Sequence, residues 1–271
     1  ASESPLNPAA REALLAAFDQ GWADPKKISQ SASKAAILRN QALENIAEKL
    51  GIPAASIEVI GEPSLGHYLS IAGLFAGHSP FVYSSIDKGK VRAIARAHTS
   101  EVKELPADNS GAILHLADIP ADSVLSLQLA NGETGVIQSA SDIPATVRVA
   151  VDATSSGARL PLPRHWNTAL FDSLSWNGPS GLAIMAINNR SDYSYPLPRI
   201  APISSPGSYS LPLLIASSIA LENFTGEDLA LREFAIKELS SIGGIQVVAP
   251  DATALAHLVS VVASGVSGEA T

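Results

Sequence analysis

The chain has 271 residues, 46% hydrophobic and 16% charged, with a formal net charge of -8 and no cysteine. No apolar run is long enough to span a bilayer and the eighteen Lys and Arg residues form no stripe, so neither a membrane-spanning helix nor a nucleic-acid partner is expected. The absence of cysteine excludes disulfides, thiolate metal sites and a cysteine nucleophile within this sequence, and points to a cytoplasmic globular protein with a sizeable core.

Asn7-Pro8 reads as an N-cap with proline at the first helical position, and Leu14, Leu15, Phe18 and Trp22 place an apolar stripe on the helix that runs to about Gly21. Ala1 to Pro8 is polar and leads straight into this helix, so no signal peptide is expected. Asp24-Pro25-Lys26-Lys27 is a turn. Ser31 to Leu50 is a second helix carrying Ile37, Leu38, Ile46 and Leu50, ended by Gly51 and Pro53. Ser56 to Ile60 reads as a strand, Ser64 to Ala76 as a helix capped by Gly77, and Pro80 to Ser84 as a strand. A helix over Asp87 to His98 follows, then strands at Glu101 to Leu105, Val124 to Leu129, Val147 to Val151 and Leu182 to Ile187. This alternation predicts an α/β fold with a mostly parallel sheet and helices on both faces.

After Asn188 a proline- and serine-rich loop runs to about Ser208. Leu211 to Phe224 reads as a helix, Thr225 as the cap of another that reaches Ser241 with Asp228 at the capping-box position, and Ile245 to Val248 and His257 to Ala263 as strands. The division expected is a large domain over 1–210, with a helical connection and part of a small α+β domain over 211–271. Gly265 to Thr271 reads as the start of a further helix, so a longer gene product is expected.

The stretch Val149 to Gly181 holds the most informative chemistry. An apolar β-branched run ends in one carboxylate, Asp152, followed by small residues, as when a buried parallel strand delivers an acid to its carboxyl edge, where open α/β sheets bind ligands. A second strand and the Gly178-Pro179 turn follow. The six histidines show no metal-ligand spacing, His67 and His78 being eleven residues apart, and no metal site is expected. No Gly-x-Ser-x-Gly elbow, Walker loop or Gly-x-Gly-x-x-Gly is present, so neither a hydrolase nor a nucleotide enzyme is motivated.

Several segments together resemble the cysteine desulfurase branch of the class V aminotransferases, pyridoxal-phosphate proteins of fold type I. Ser4-Pro5-Leu6-Asn7-Pro8 is similar to that family's opening Thr-Pro-Leu-Asp-Pro, and Ala23-Asp24-Pro25 to its Gly-Asn-Pro. Leu129-Ala130-Asn131-Gly132-Glu133-Thr134-Gly135-Val136-Ile137-Gln138 resembles the Asn-Asn-Glu-x-Gly-x-Ile-Gln stretch, Val151-Asp152-Ala153 the Val-Asp-Ala that holds the pyridine nitrogen, and Gly265 to Ala270 the Gly-Val-x-Gly-Glu-Ala turn. The resemblance covers nearly the whole chain and implies a fold type I sheet and a homodimer, with Tyr193, Tyr195 and Tyr209 near the subunit interface.

Six positions of the implied cofactor pocket depart from the pattern. The Schiff-base lysine of Ser-x-His-Lys has no counterpart in Ser173-Leu174-Ser175-Trp176-Asn177-Gly178-Pro179. The phosphate-holding Gly-x-Thr-Glu aligns with Glu62-Pro63-Ser64-Leu65, putting a carboxylate where a helix amino terminus would meet a dianion. The ring-stacking histidine is matched by Lys88, the second asparagine by Gly132, the glutamine after the aspartate by Ser155, and the substrate arginine falls at about Gly207.

Without the lysine, Asp152 reads as a structural acid in preference to a pyridine partner. Glu133 reads as a turn residue, Asn131 as a loop-bonding residue and Ser64 as an N-cap. The degenerate pocket retains Asp152, Ser155, Asn131, Ser64 and Lys88 as its candidate binding residues. The resulting expectation is a protein that has lost pyridoxal-phosphate catalysis, has no catalytic residue near Ser175, Trp176 and Asn177, needs no cofactor, and persists as a dimerising, binding or regulatory protein. The alternative is an active pyridoxal-phosphate sulfurtransferase or aminotransferase using an unusual lysine such as Lys88. A third reading is a different small ligand held by Asp152, Asn131 and the turn from Trp176 to Gly181.

Overall fold

The computed structural model describes residues 4–21, 23–198 and 209–265. Trp22, Gly207 and the turn from Val266 onward, all invoked by the sequence, lie outside the described residues.

Asn7 caps α1 (Pro8–Asp19) through its side chain, as Asn-Pro predicts, and Ser29 caps α2 (Gln30–Leu50), which Gly51 ends in the left-handed conformation. The faces these helices bury differ from the predicted stripes. Ala10 and Ala17 of α1 and Ala32, Ala35, Ala42, Ile46 and Ala47 of α2 point inward, while Leu15, Phe18 and Ile37 are exposed. The reason lies in their common neighbour α5 (Leu211–Glu222), a largely apolar helix that packs against both. Alanines on the facing sides let α1 and α2 come close to it.

The sheet contains β1 (Ile57–Ile60), β2 (Phe81–Ser84), β3 (Val102–Leu105), β4 (Val124–Gln128), β5 (Arg148–Asp152), β6 (Thr168–Asp172) and β7 (Ala183–Ile187). Its order is β1-β7-β6-β5-β4-β2-β3, parallel from β3 through β6, with β7 antiparallel to both of its neighbours. This mostly parallel, helix-flanked sheet is the expected fold type I, aminotransferase-like architecture. Pairing Asp152 opposite Leu170 makes β6 an internal strand, the second strand expected between Asp152 and the Gly178-Pro179 turn.

Strand parity separates two cores. Leu125, Leu127, Val149, Val151, Ala169, Phe171 and Ile184 face α1, α2 and α5. The alternate residues, among them Val124, Ala150, Leu170 and Met185, face α3 (Pro63–Ala72) and α4 (Gly89–Ala97). Two caps differ from the sequence reading. Glu62, not Ser64, caps α3, because its carboxylate accepts from both the backbone and the hydroxyl of Ser64; that helix ends at Gly73 rather than Gly77. Asp228, not Thr225, caps α6 (Leu229–Ser240). Beyond α6, β8 (Ile245–Val247) and β9 (Val261–Ala263) form a small antiparallel pair, and residues 253–255 bond to Gly135 and Ile137 of the large unit.

Candidate functional site

Three parallel strands end in polar residues on one face. Gln128 closes β4, Asp152 closes β5 and Asp172 closes β6, and Gln128 lies directly opposite Asp152 in register. Each is two residues on from a side chain facing α3 and α4, so strand alternation alone turns all three toward those helices. The amino termini of α3 and α4 sit at this carboxyl edge, which makes it the crevice of the fold.

Asp152, 5% exposed, is the centre of the arrangement. Its Oδ1 accepts from the backbone N–H of Thr154 at 2.9 Å and from the Thr154 hydroxyl at 2.5 Å. Its Oδ2 lies 3.0 Å from His67 Nε2 and 3.0 Å from Lys88 Nζ. Burial opposes ionisation of this carboxyl, but the Lys88 ammonium, then the His67 hydrogen bond, outweigh it and hold Asp152 well below the usual carboxylate range. A carboxylate only accepts, so His67 donates from Nε2. His67 Nδ1 is buried with no hydrogen-bond partner among the described residues.

Around this centre, Asp87 accepts from Ser84 N and from Gln128 Nε2, and burial raises its pKa to about 6. Asp172 is likewise pushed up by burial. A cavity of about 700 Å³ opens over the edge, walled by Lys88, Asn131, Thr154, Ser155, Ser175 and His257, among others. A second, of about 390 Å³, lies between α3, α4 and β6 with His67, Lys88, Lys90 and Asp172 in its wall. Lys88 borders both.

Of the residues singled out by sequence, Lys88, Asn131, Ser155 and Ser175 face the larger cavity and Asp152 lies just beneath it. Asn131 organises its own loop: its Oδ1 accepts from the backbone N–H groups of Glu133 and Thr134, and its amide donates to Ile86 O. Ser64 is occupied at the α3 cap, and Trp176 is fully buried away from the cavity with Asn177 in a left-handed turn beside it. Sequence reasoning missed His67, Thr154, Asp87 and Gln128, as well as Arg159, which binds Glu227 and Ser175 O. The available signal was a histidine on the buried stripe of α3, beside Gly66, Leu69, Ser70 and Ile71.

The pocket does not fit pyridoxal phosphate. A carboxylate offers about four acceptor sites, and those of Asp152 are taken by Lys88, His67 and both donors of Thr154, leaving none for a ring nitrogen. The Glu62 carboxylate stands at the α3 amino terminus, where it would repel a phosphate.

No protein-family model and no curated protein sequence matches the chain. Solved structures do match. A NifS-like protein superimposes with a TM-score of 0.83 at 18% identity, over 98% of this chain and 81% of its own length. DndA from Streptomyces lividans gives 0.79 at 18% identity, over 100% of this chain and 85% of that one. SspA, solved in complex with cysteine, gives 0.79 at 21% identity, over 93% and 79%. At these identities the likeness is one of architecture: the chain has the fold of the NifS-like proteins.

Proposed function

We propose that this chain is a cysteine desulfurase-like protein of the class V aminotransferase lineage that has lost pyridoxal-phosphate catalysis and serves as a dimerising, binding or regulatory protein. The observation that supports this most is the saturated carboxylate: Asp152 already holds Lys88, His67 and Thr154. The residues that face the cavity where a Schiff-base lysine is expected are Leu174 and Ser175, neither of which can form an imine. The chain's own residues would then bind and orient a small polar ligand in the larger cavity. Because SspA was solved with cysteine, free cysteine is the first ligand to titrate.

The test is the colour and cofactor content of the purified protein after incubation with excess pyridoxal phosphate. Expected are a colourless protein after dialysis and no lysine fixed by borohydride. A stoichiometric yellow protein would overturn the proposal. One observation favours the alternative of an active enzyme: Lys88 is the lysine that borders both cavities and touches Asp152. Borohydride labelling mapped to Lys88 would establish that reading instead. We propose a homodimer as the functional form, tested by light scattering of the intact chain, where a monomer mass at micromolar concentration would refute it.

A further inference from the structure

Lys88 is the N-cap residue of α4, yet its side chain makes no capping bond. Instead it runs to the end of β5, where the ammonium meets Asp152 Oδ2 at 3.0 Å and donates to the Thr154 hydroxyl. That hydroxyl in turn donates to Asp152 Oδ1 at 2.5 Å, closing a ring of charge-assisted hydrogen bonds around one ammonium group. The Lys88 side chain is one-third exposed (33%) and stands between the two cavities, whereas Asp152 beneath it is almost fully enclosed. A carboxylate this deep needs a cation, since an uncompensated buried charge is strongly destabilising.

We infer that Asp152, Thr154 and His67 form a seat for a single primary ammonium group, and that the chain fills this seat with its own Lys88 as a built-in ligand. The donor set selects ammonium. An ammonium has three hydrogens to donate, and Asp152 and Thr154 accept two of them. His67 points an N–H at the same carboxylate oxygen and so gives a metal ion no lone pair there; no metal-ligating cluster occurs among the described residues. The carbon chain of the occupant lies where the two cavities adjoin, so the seat takes a short linear alkylammonium. This inference concerns the chemistry of the seat and rests on the proposed reading in that Lys88 stays a free ammonium and forms no imine.

Lys88→Ala removes a propylammonium unit and leaves Asp152 unpaired. The folding equilibrium should fall roughly 100-fold or more, read from urea unfolding. n-Propylammonium chloride should restore it in a saturable manner. n-Propanol, or sodium chloride at the same ionic strength, should not. Lys88→Met combined with Asp152→Asn, which deletes both charges, should be more stable than Lys88→Met alone and blind to propylammonium. If Lys88→Ala fails to fold, recovery by refolding in propylammonium and the stability of the double variant carry the same test. Equal stability of Lys88→Ala and the wild type would overturn the inference, as would rescue by sodium chloride to the same extent, or a double variant as unstable as the single. These readouts are unfolding midpoints, separate from the cofactor content that judges the proposed function.

Discussion

The indole N–H of Trp176 donates to the backbone carbonyl of Ser217 over 3.1 Å, joining the turn after β6 to the middle of α5. Trp176 is the largest fully buried side chain, and the neighbouring hydroxyl pair Ser173 and Ser217 closes the same junction at 2.8 Å. The segment expected to carry a reactive lysine is therefore packed as a structural rivet. Trp176→Ala should destabilise the fold by about 3–5 kcal/mol, and Trp176→Phe by less, because it forfeits mainly the hydrogen bond and part of the ring volume. Urea unfolding of the two variants beside the wild type checks the order.

Asp87 gives the protein an unusual acid-side profile. A carboxyl whose folded pKa is raised to about 6 stabilises the fold only while protonated. That contribution is complete below about pH 4, the unfolded value, and is lost as pH rises through about 6. Relative to Asp87→Asn, wild-type stability should fall by up to about 3 kcal/mol between pH 4 and pH 7. Unfolding curves of both proteins at each pH test this, and parallel profiles would show that Asp87 ionises normally. Asp152 acts in the opposite sense: its contribution is present above about pH 4 and is lost in stronger acid.

Arg159 ties the segment after α5 to the turn after β6. It bonds Glu227 at 2.7 Å through Nε, reaches Ser175 O, and lies 4.7 Å over the Phe224 ring. His257 sits 3.8 Å from the same glutamate, and burial and the Arg159 charge lower its pKa against the pull of Glu227. Arg159→Ala should lower the free energy of local opening of residues 225–265 by roughly 2 kcal/mol while leaving the central sheet protected. Hydrogen exchange resolved along the chain measures both regions at once.

Gly73 closes α3 against the Tyr193 ring. A Cβ there would fall 2.0 Å from Tyr193 Cε2, so Gly73→Ala must displace the ring and stretch its 3.1 Å hydrogen bond to Leu69 O. A loss of about 1–3 kcal/mol is expected from overpacking. A change in tyrosine near-ultraviolet dichroism should accompany it.

What could be read from the sequence follows from how each part is buried. β5 and β7 were legible because both of their faces are covered, which writes an uninterrupted apolar run. β6 was legible only as a strand without bounds before the Gly178-Pro179 turn, because its ends, Thr168 and Asp172, are polar. The helix stripes misled because contact with α5 selects alanine, whose small side chain carries little pattern. Asp152 announced itself as a lone acid ending such a run. Lys88 joined it only through the family resemblance and His67 not at all, since both come from other elements and meet Asp152 only when α3 and α4 settle on the sheet.

The place of β1 in the sheet bears on how the chain emerges during synthesis. Its neighbour is β7, with Ile57 opposite Ala186, and α1 and α2 rest on α5. Strands β2 to β5 can associate with one another as they appear, in a parallel core assembled without the amino terminus. Residues 8–60 are made before β7 and α5 and cannot take their places until those elements arrive. Until β7 and α5 arrive, β1 lacks its strand partner and the alanine faces of α1 and α2 lack the helix they pack on, so this segment stays open to mispairing during synthesis.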